Sequence, residues 1–239
     1  MRTWVRFSLG GPRGDALSPD AVRYGPGLPS EHSLRLLGHL DGRRVLELGC
    51  GGGSAAVAMA KAGAKVIAVD ESAESLAATR AAASREGVRL ETHESPLAEL
   101  PFVRADTVDL ALSVYALAGI HDIDRVFRQV NRVLRPERSF VFSLPHPAFN
   151  MIDPADHELR LQRPWWDPRP VAWSVGPERA EPDRPHTFSA LVASLSRANF
   201  RVDAVAEPAA DPASAGDHWC GAMGWMPPTL IVRARKEGI

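Results

Sequence analysis

Two cysteines, Cys50 and Cys220, are too few for a disulfide framework, and neither sits in a C-x-x-C pair of the kind that holds zinc or carries dithiol chemistry. That scarcity reads as a reducing, cytoplasmic setting. Excess charge of one sign is missing too. Twenty-eight Lys and Arg face 29 Asp and Glu, so no global positive field gathers nucleic acid or an anionic membrane. The longest weakly polar run, Ala111 to Ile120, falls far short of a bilayer span, and Met1 to Gly11 carries Arg2 and Arg6 without an apolar stretch. A protein that is neither secreted nor membrane-spanning is expected. The histidines lack H-x-x-x-H or carboxylate spacing, so no metal site emerges.

What is present is ordinary globular material: 45% apolar and 24% charged residues in a chain of 239, enough for one large domain. Residues 43 to 70 read as strand, glycine-rich turn, helix and strand, a βαβ unit. A helix is expected over Glu71 to Glu86, with Gly87 past its end, then a short strand over Val88 to Thr92. Val108 to Val114 reads as a strand, Ile123 to Leu134 as a helix and Phe140 to Leu144 as a strand. This alternation implies an α/β protein with a parallel sheet covered by helices on both faces. The first 40 residues are expected to form a helical N-terminal cap. Nine of the twenty prolines fall in 145–185, with Trp165, Trp166 and Trp173, so that segment reads as a lid or insertion. A helix over His186 to Ala198 and strands over Phe200 to Ala206 and Thr229 to Ala234 complete the chain.

The first strand runs into Glu47-Leu48-Gly49-Cys50-Gly51-Gly52-Gly53, which places glycines where a tight turn lets a ligand approach the backbone. Alone, such a cluster is equally a plain turn between strand and helix. The dinucleotide fingerprint asks for glycine at its first, third and sixth positions, and counting from Gly49 the sixth is Ser54, which disfavours NAD.

The pattern Glu47-x-Gly49-x-Gly51-x-Gly53 resembles motif I of the class I S-adenosylmethionine-dependent methyltransferases. Leu100-Pro101-Phe102 followed by Val108 to Ser113 resembles a second segment of that family, and Arg132 to Pro136 a third. The resemblance implies a Rossmann-like seven-stranded sheet of order 3-2-1-4-5-7-6, with strand seven antiparallel. It also implies S-adenosylmethionine as cofactor. Asp70 would take the ribose diol, a charge-assisted pairing, and Glu47 would face the ammonium group. The loop residues Gly49, Cys50, Gly51 and Gly53 would line the cofactor, with Glu71 beside Asp70. By the same resemblance, Ser95, Pro96 and Leu97 lie against the adenine and Ser113 and Tyr115 under the methionine portion. Tyr24 either closes over the cofactor's carboxylate or packs the N-terminal segment onto the sheet.

Methyl transfer from a sulfonium is an in-line displacement that needs alignment, with a general base only for a protonated acceptor. His146, just past strand five, is the first candidate for such a base, with Tyr115 beside it; the alternative is that His146 holds its turn. His121, after strand four, either contacts substrate or caps a helix. Trp165 and Trp166 either wall a pocket for a flat small molecule or anchor the lid. His157, Glu158 and His186 contribute only if the lid folds inward. The expected partner is a small-molecule acceptor, with no nucleic acid or membrane, and the protein is expected to act as a monomer or homodimer. The competing readings are a nicotinamide-dependent reductase and a non-catalytic S-adenosylmethionine-binding regulatory protein.

Overall fold

The computed structural model describes residues 7, 17–154, 156, 159–171 and 182–238. Seven strands form one sheet: β1 Arg44–Leu48, β2 Lys65–Asp70, β3 Glu91–Glu94, β4 Val108–Val114, β5 Leu134–Pro145, β6 Phe200–Ala206 and β7 Thr229–Lys236. Their order is β3-β2-β1-β4-β5-β7-β6. Strand β7 is antiparallel to both of its neighbours, and the pairs from β3 to β5 are parallel. The strand order turns back between β1 and β4, and ligands of open α/β sheets bind beyond the strand ends at such a point.

The helices are α1 Glu31–Leu34, α2 Ser54–Lys61, α3 Ala73–Arg85, α4 Ile123–Val133, α5 Phe188–Arg197 and α6 Pro212–Ala215. Helix α4 forms because Ile123, Val126, Phe127, Val130 and Val133 recur on one face, and because Asp122 accepts the Arg125 N–H at 2.9 Å to cap its start. That face packs with α5 against Phe140, Phe142 and Leu230. On the other side of the sheet, α2 and α3 bring Ala55, Met59 and Leu76 against Val45, Ala68 and Leu112. Alternation along each strand sends Glu47 and Asp70 to this second side, among its strand-end residues.

Three expectations need correction. Strand β3 begins at Glu91, not Val88, because Val88 and Leu90 pack against Val57, Ala82 and Ala83 at the end of α3, and the Val88 N–H bonds to the Ala83 carbonyl. The strand itself, Glu-Thr-His-Glu, lies at the sheet edge, where little apolar pattern is needed. Strand β5 starts at Leu134, so the polar run Arg135 to Ser139 lies inside it. The described part of the expected helical cap, 17–40, holds one helical turn, α1, and is otherwise turns and extended chain. Residues 1–6 and 8–16 lie outside the description. The described parts of 145–185 contain a 3-10 turn at Phe149–Met151 and the bridges Ile152 to Leu161 and Val171 to Asp183. His157, Glu158 and Trp173 lie outside the described residues.

Candidate functional site

The glycine loop is held between β1, β2 and α3. Gly49 and Cys50 donate their N–H groups to the Val69 carbonyl at 2.7 and 3.2 Å, continuing the sheet pairing past the end of β1. Gly49 has φ +73°, and a methyl group there would stand 2.0 Å from the Ala116 Cβ, so only glycine lets the turn after β4 close over the loop. Gly53 has φ +82° and faces α3, where an added Cβ would be 2.8 Å from the Thr79 Cα. The close helix packing that Ser54 could not supply at the sixth position is thus made by Gly53. Thr79, fully buried, donates its hydroxyl to the Gly51 carbonyl at 2.9 Å.

Asp70 completes the frame. Its Oδ2 accepts the Gly51 N–H at 2.9 Å and its Oδ1 the Ser72 N–H at 3.0 Å. Each oxygen retains a lone pair, and the carboxylate is fixed beside the loop without a cation. Glu47 is different. It is 1% exposed, and neither of its carboxyl oxygens has a hydrogen-bond partner. Burial, and after it the Asp70 charge, push Glu47 up to about 8. Burial, reinforced by Glu47, raises the Cys50 thiol, which makes that cysteine a packing residue rather than a nucleophile.

Glu47, Cys50 and Val114 form one wall of a crevice, and Leu17, Ala21 and Arg23 from the N-terminal segment form the other. The space between them holds about one water molecule. The segment continues to Gly25, where an added Cβ would lie 3.0 Å from the Tyr115 ring and 3.4 Å from the Thr229 hydroxyl. It is then fastened by the Asp211 N–H to the Gly27 carbonyl at 2.8 Å. Sequence reading missed Leu17, Ala21 and Arg23, which carry no motif and reach the crevice only through the folded course of the segment.

The remaining expected site residues divide. Leu97 is buried against Gly49, and its N–H bonds to Glu71 Oε1 at 3.3 Å, so Glu71 and Leu97 do meet at the tip of β2. Ser95 turns its hydroxyl to the Glu99 carbonyl at 2.8 Å, and Pro96 is exposed. Ser113 lies in the strand interior with no exposed surface, and its hydroxyl donates to the Leu48 carbonyl at 2.9 Å, a link between strands rather than a free ligand group. Tyr115, at φ +59°, pairs its hydroxyl with that of Thr229.

Tyr24 does not close over the crevice. It is fully buried and its hydroxyl donates to Glu31 Oε2 at 2.5 Å, while Glu31 also accepts the N–H groups of Leu36 (3.0 Å) and Leu37 (2.7 Å). Burial and the Glu31 carboxylate push its phenol well above the ordinary range. His146 has both ring nitrogens engaged: Nδ1 accepts the Ala148 N–H at 3.1 Å, so Nε2 carries the proton that points to Glu207 Oε1 at 2.8 Å. A base needs a free lone pair, and in this arrangement His146 has none. His121 is exposed beside the Asp122 cap, Trp165 is half-buried, and Trp166 is 82% exposed. Among the described residues, His186 has a buried Nε2 without a hydrogen-bond partner, and burial followed by the Arg184 charge lowers its pKa. No group of three His, Cys, Asp or Glu among the described residues is arranged to hold a metal ion. No described helix is long and apolar enough to cross a membrane.

A family model described as a methyltransferase domain matches residues 45–137, from the first strand through the glycine loop and Asp70 into β5. Residues 45–137 are thus similar to a methyltransferase domain. The region is similar to the ubiquinone biosynthesis O-methyltransferase of Bordetella avium, 35% identical over 130 residues, covering 53% of this chain and 54% of that protein. The protein of the same name from Sodalis glossinidius is 34% identical over 135 residues, covering 55% and 54%. The chain therefore spans about half the length of the curated relatives it matches. A solved S-adenosylmethionine dependent methyltransferase from Mesorhizobium loti superposes with a TM-score of 0.69 at 27% identity, covering 85% of this chain and 96% of that one. The residues of the site fit S-adenosylmethionine. An unpartnered buried carboxylate suits an ammonium group, and an anchored carboxylate beside a glycine turn suits a ribose diol.

Proposed function

We propose that the protein binds S-adenosylmethionine and transfers its methyl group to a small organic molecule, leaving S-adenosylhomocysteine. The observation that carries this reading is the pairing of two unlike carboxylates on one face of the sheet: Asp70, tied to the glycine loop by the Gly51 N–H, and Glu47, buried with no partner. Glu47 orients the amino-acid end, Asp70 the ribose, and Leu97 with Glu71 flanks the adenine. The bound cofactor supplies an electrophilic methyl group. The protein supplies alignment and the exclusion of water. Segment 17–28 covers the crevice and has to lift for the cofactor to enter, since the space beneath it admits about one water.

The acceptor side is assigned to the ends of β4, β5 and β7, where Tyr115 and Thr229 share a hydroxyl contact under Gly25. We read residues 1–239 as a single methyltransferase domain, with 145–185 as the insertion on the acceptor side. His146 holds the junction of β5 and β7 through its N–H to the Pro228 carbonyl at 2.9 Å and its contact with Glu207, rather than accepting a proton. A hydroxyl as the accepting group rests on the names of the relatives, which are O-methyltransferases. A reducing, cytoplasmic setting is supported by the two free cysteines, and a small-molecule rather than nucleic-acid partner by the near-zero net charge. The test is transfer of labelled methyl from S-adenosylmethionine to a panel of small phenols, catechols, amines and carbon acids. The expected result is stoichiometric labelled product and S-adenosylhomocysteine with at least one of them. Cofactor binding with no transfer to any hydroxyl, amine or acidic carbon acceptor would favour a non-catalytic protein.

A further inference from the structure

Buried hydroxyls around the crevice are bonded with one exception. Thr79 donates to the Gly51 carbonyl, Ser113 donates to the Leu48 carbonyl, and Thr229 pairs with Tyr115. Ser143, near the end of β5, has no exposed surface, and its hydroxyl has no partner. It pairs in register with Val114 of β4 and Ile231 of β7, which places its side chain on the same face of the sheet as Val114, the residue that lines the crevice. A second unbonded oxygen follows β5. Asn150, in the 3-10 turn Phe149–Met151, is 5% exposed, and its Oδ1 is buried without a partner. The Asn150 N–H reaches back to the His146 carbonyl at 3.3 Å, and Phe149 beside it is buried in one cluster with Val114 and Ile231. Val22, Tyr24 and Leu28 pack into that cluster too, so segment 17–28 covers this face along with the crevice.

We infer that Ser143 and Asn150 are specificity-determining residues for the methyl acceptor, and that they take O–H or N–H donors on a neutral ring compound. The inference rests on the proposed methyl transfer and adds which side chains select the acceptor. A buried oxygen without a donor costs the fold free energy, and a ligand donor that reaches it forms a bond whose desolvation on the protein side is already complete. The Asn150 Oδ1 only accepts, and the Ser143 hydroxyl can accept as well as donate, so two donors on the ligand satisfy both. The surroundings set charge and shape. Val114, Ile231 and Phe149 bring no counter-charge, so an ionised group placed among them would be buried unpaired, whereas a neutral donor escapes that penalty. Tyr115 has its hydroxyl engaged by Thr229 and its N–H bonded to the Ser143 carbonyl at 2.9 Å, which leaves its ring as a flat wall beside Ser143.

Labelled-methyl transfer by the full chain to catechol, 2-aminophenol and 2-methoxyphenol tests the assignment. The first two carry two donors each, and the third replaces one of them by a methoxy group. The unaltered protein is expected to prefer the first two in kcat/KM. Ser143→Ala and Asn150→Leu are each expected to reduce that preference by about tenfold, through a higher KM for the two-donor acceptors and with S-adenosylhomocysteine affinity unchanged. Ser143→Ala is also expected to melt no lower than the unaltered protein, since it leaves no partner unpaired. An unchanged preference in either variant overturns the assignment of that residue, and a lower melting temperature for Ser143→Ala would show its hydroxyl already bonded within the fold. If Asn150→Leu does not fold, Ser143→Ala alone decides. Equal or better transfer to 2-methoxyphenol by the unaltered protein would overturn the proposal, as would transfer only to acceptors outside these three. Absence of transfer to any acceptor would instead overturn the reading on which the proposal rests.

Discussion

Gly51 donates its backbone N–H to Asp70 Oδ2 at 2.9 Å, joining the glycine loop after β1 to the acidic tip of β2. This single bond relates two features that lie nineteen residues apart in the chain and makes them one surface. It sets the position of a carboxylate beside a backbone turn before any ligand is present, which is the preorganisation that tight recognition requires.

Asp70→Ala removes that acceptor together with the one used by Ser72. Affinity for S-adenosylhomocysteine is expected to fall by at least about tenfold, near 1.4 kcal/mol, with the sheet still folded. Calorimetry beside a thermal melt separates the two effects. Unchanged affinity would remove Asp70 from the site.

Gly53→Ala and Gly52→Ala form a matched pair. The first forces a side chain at φ +82° within 2.8 Å of the Thr79 backbone and is expected to cost about 1–3 kcal/mol. The second meets nothing within 4 Å and is expected to be tolerated. Denaturant unfolding measures both, and equal stability of the two variants would contradict the contact with α3.

Much of this loop was legible in the sequence. Glu47, the glycines and Asp70 belong to short segments whose strand and turn character follow from local pattern, so their common location followed once the strands were placed. The partners of Tyr24 and Tyr115 did not follow. Thr229 is 114 residues from Tyr115, and the contact depends on β7 inserting antiparallel between β5 and β6. Tyr24 shows the same limit at short range, because Glu31 is close in sequence, but only the fold shows that its carboxylate also gathers the Leu36 and Leu37 amides. Strand β3 was misplaced because the apolar residues that suggested it close the end of α3 instead.

Glu31→Ala leaves the buried Tyr24 hydroxyl and two backbone N–H groups without their acceptor. A loss of about 2–4 kcal/mol is expected, larger than that of Tyr24→Phe, which removes donor and leaves Glu31 with its two amides. Unfolding midpoints of the two variants check the order. A reversed order would show that the carboxylate is not the anchor of this segment.

The ring of His146 is expected to carry its proton on Nε2, since Nδ1 accepts from Ala148. Nitrogen NMR shifts of the imidazole distinguish the tautomers. A proton on Nδ1 would break the arrangement and return His146 to the list of bases.

Stability of the ligand-free protein should carry a contribution from Glu47 with a definite sign. Its folded value, about 8, lies above the ordinary 4.5, so the folded state binds the extra proton between those values. The contribution is fully present below about 4.5 and is lost as pH rises through about 8. The difference in unfolding free energy between the unaltered protein and Glu47→Gln is expected to fall across that window. A difference independent of pH would mean that Glu47 is already ionised in the fold.

The central claim is that the crevice between Glu47 and Asp70 takes S-adenosylmethionine. Parallel calorimetric titration of the ligand-free protein with S-adenosylmethionine, S-adenosylhomocysteine and NADH tests it most directly. Micromolar binding of the first two, with none of the third, is the result expected. Binding of NADH alone, or of none of the three, would contradict it.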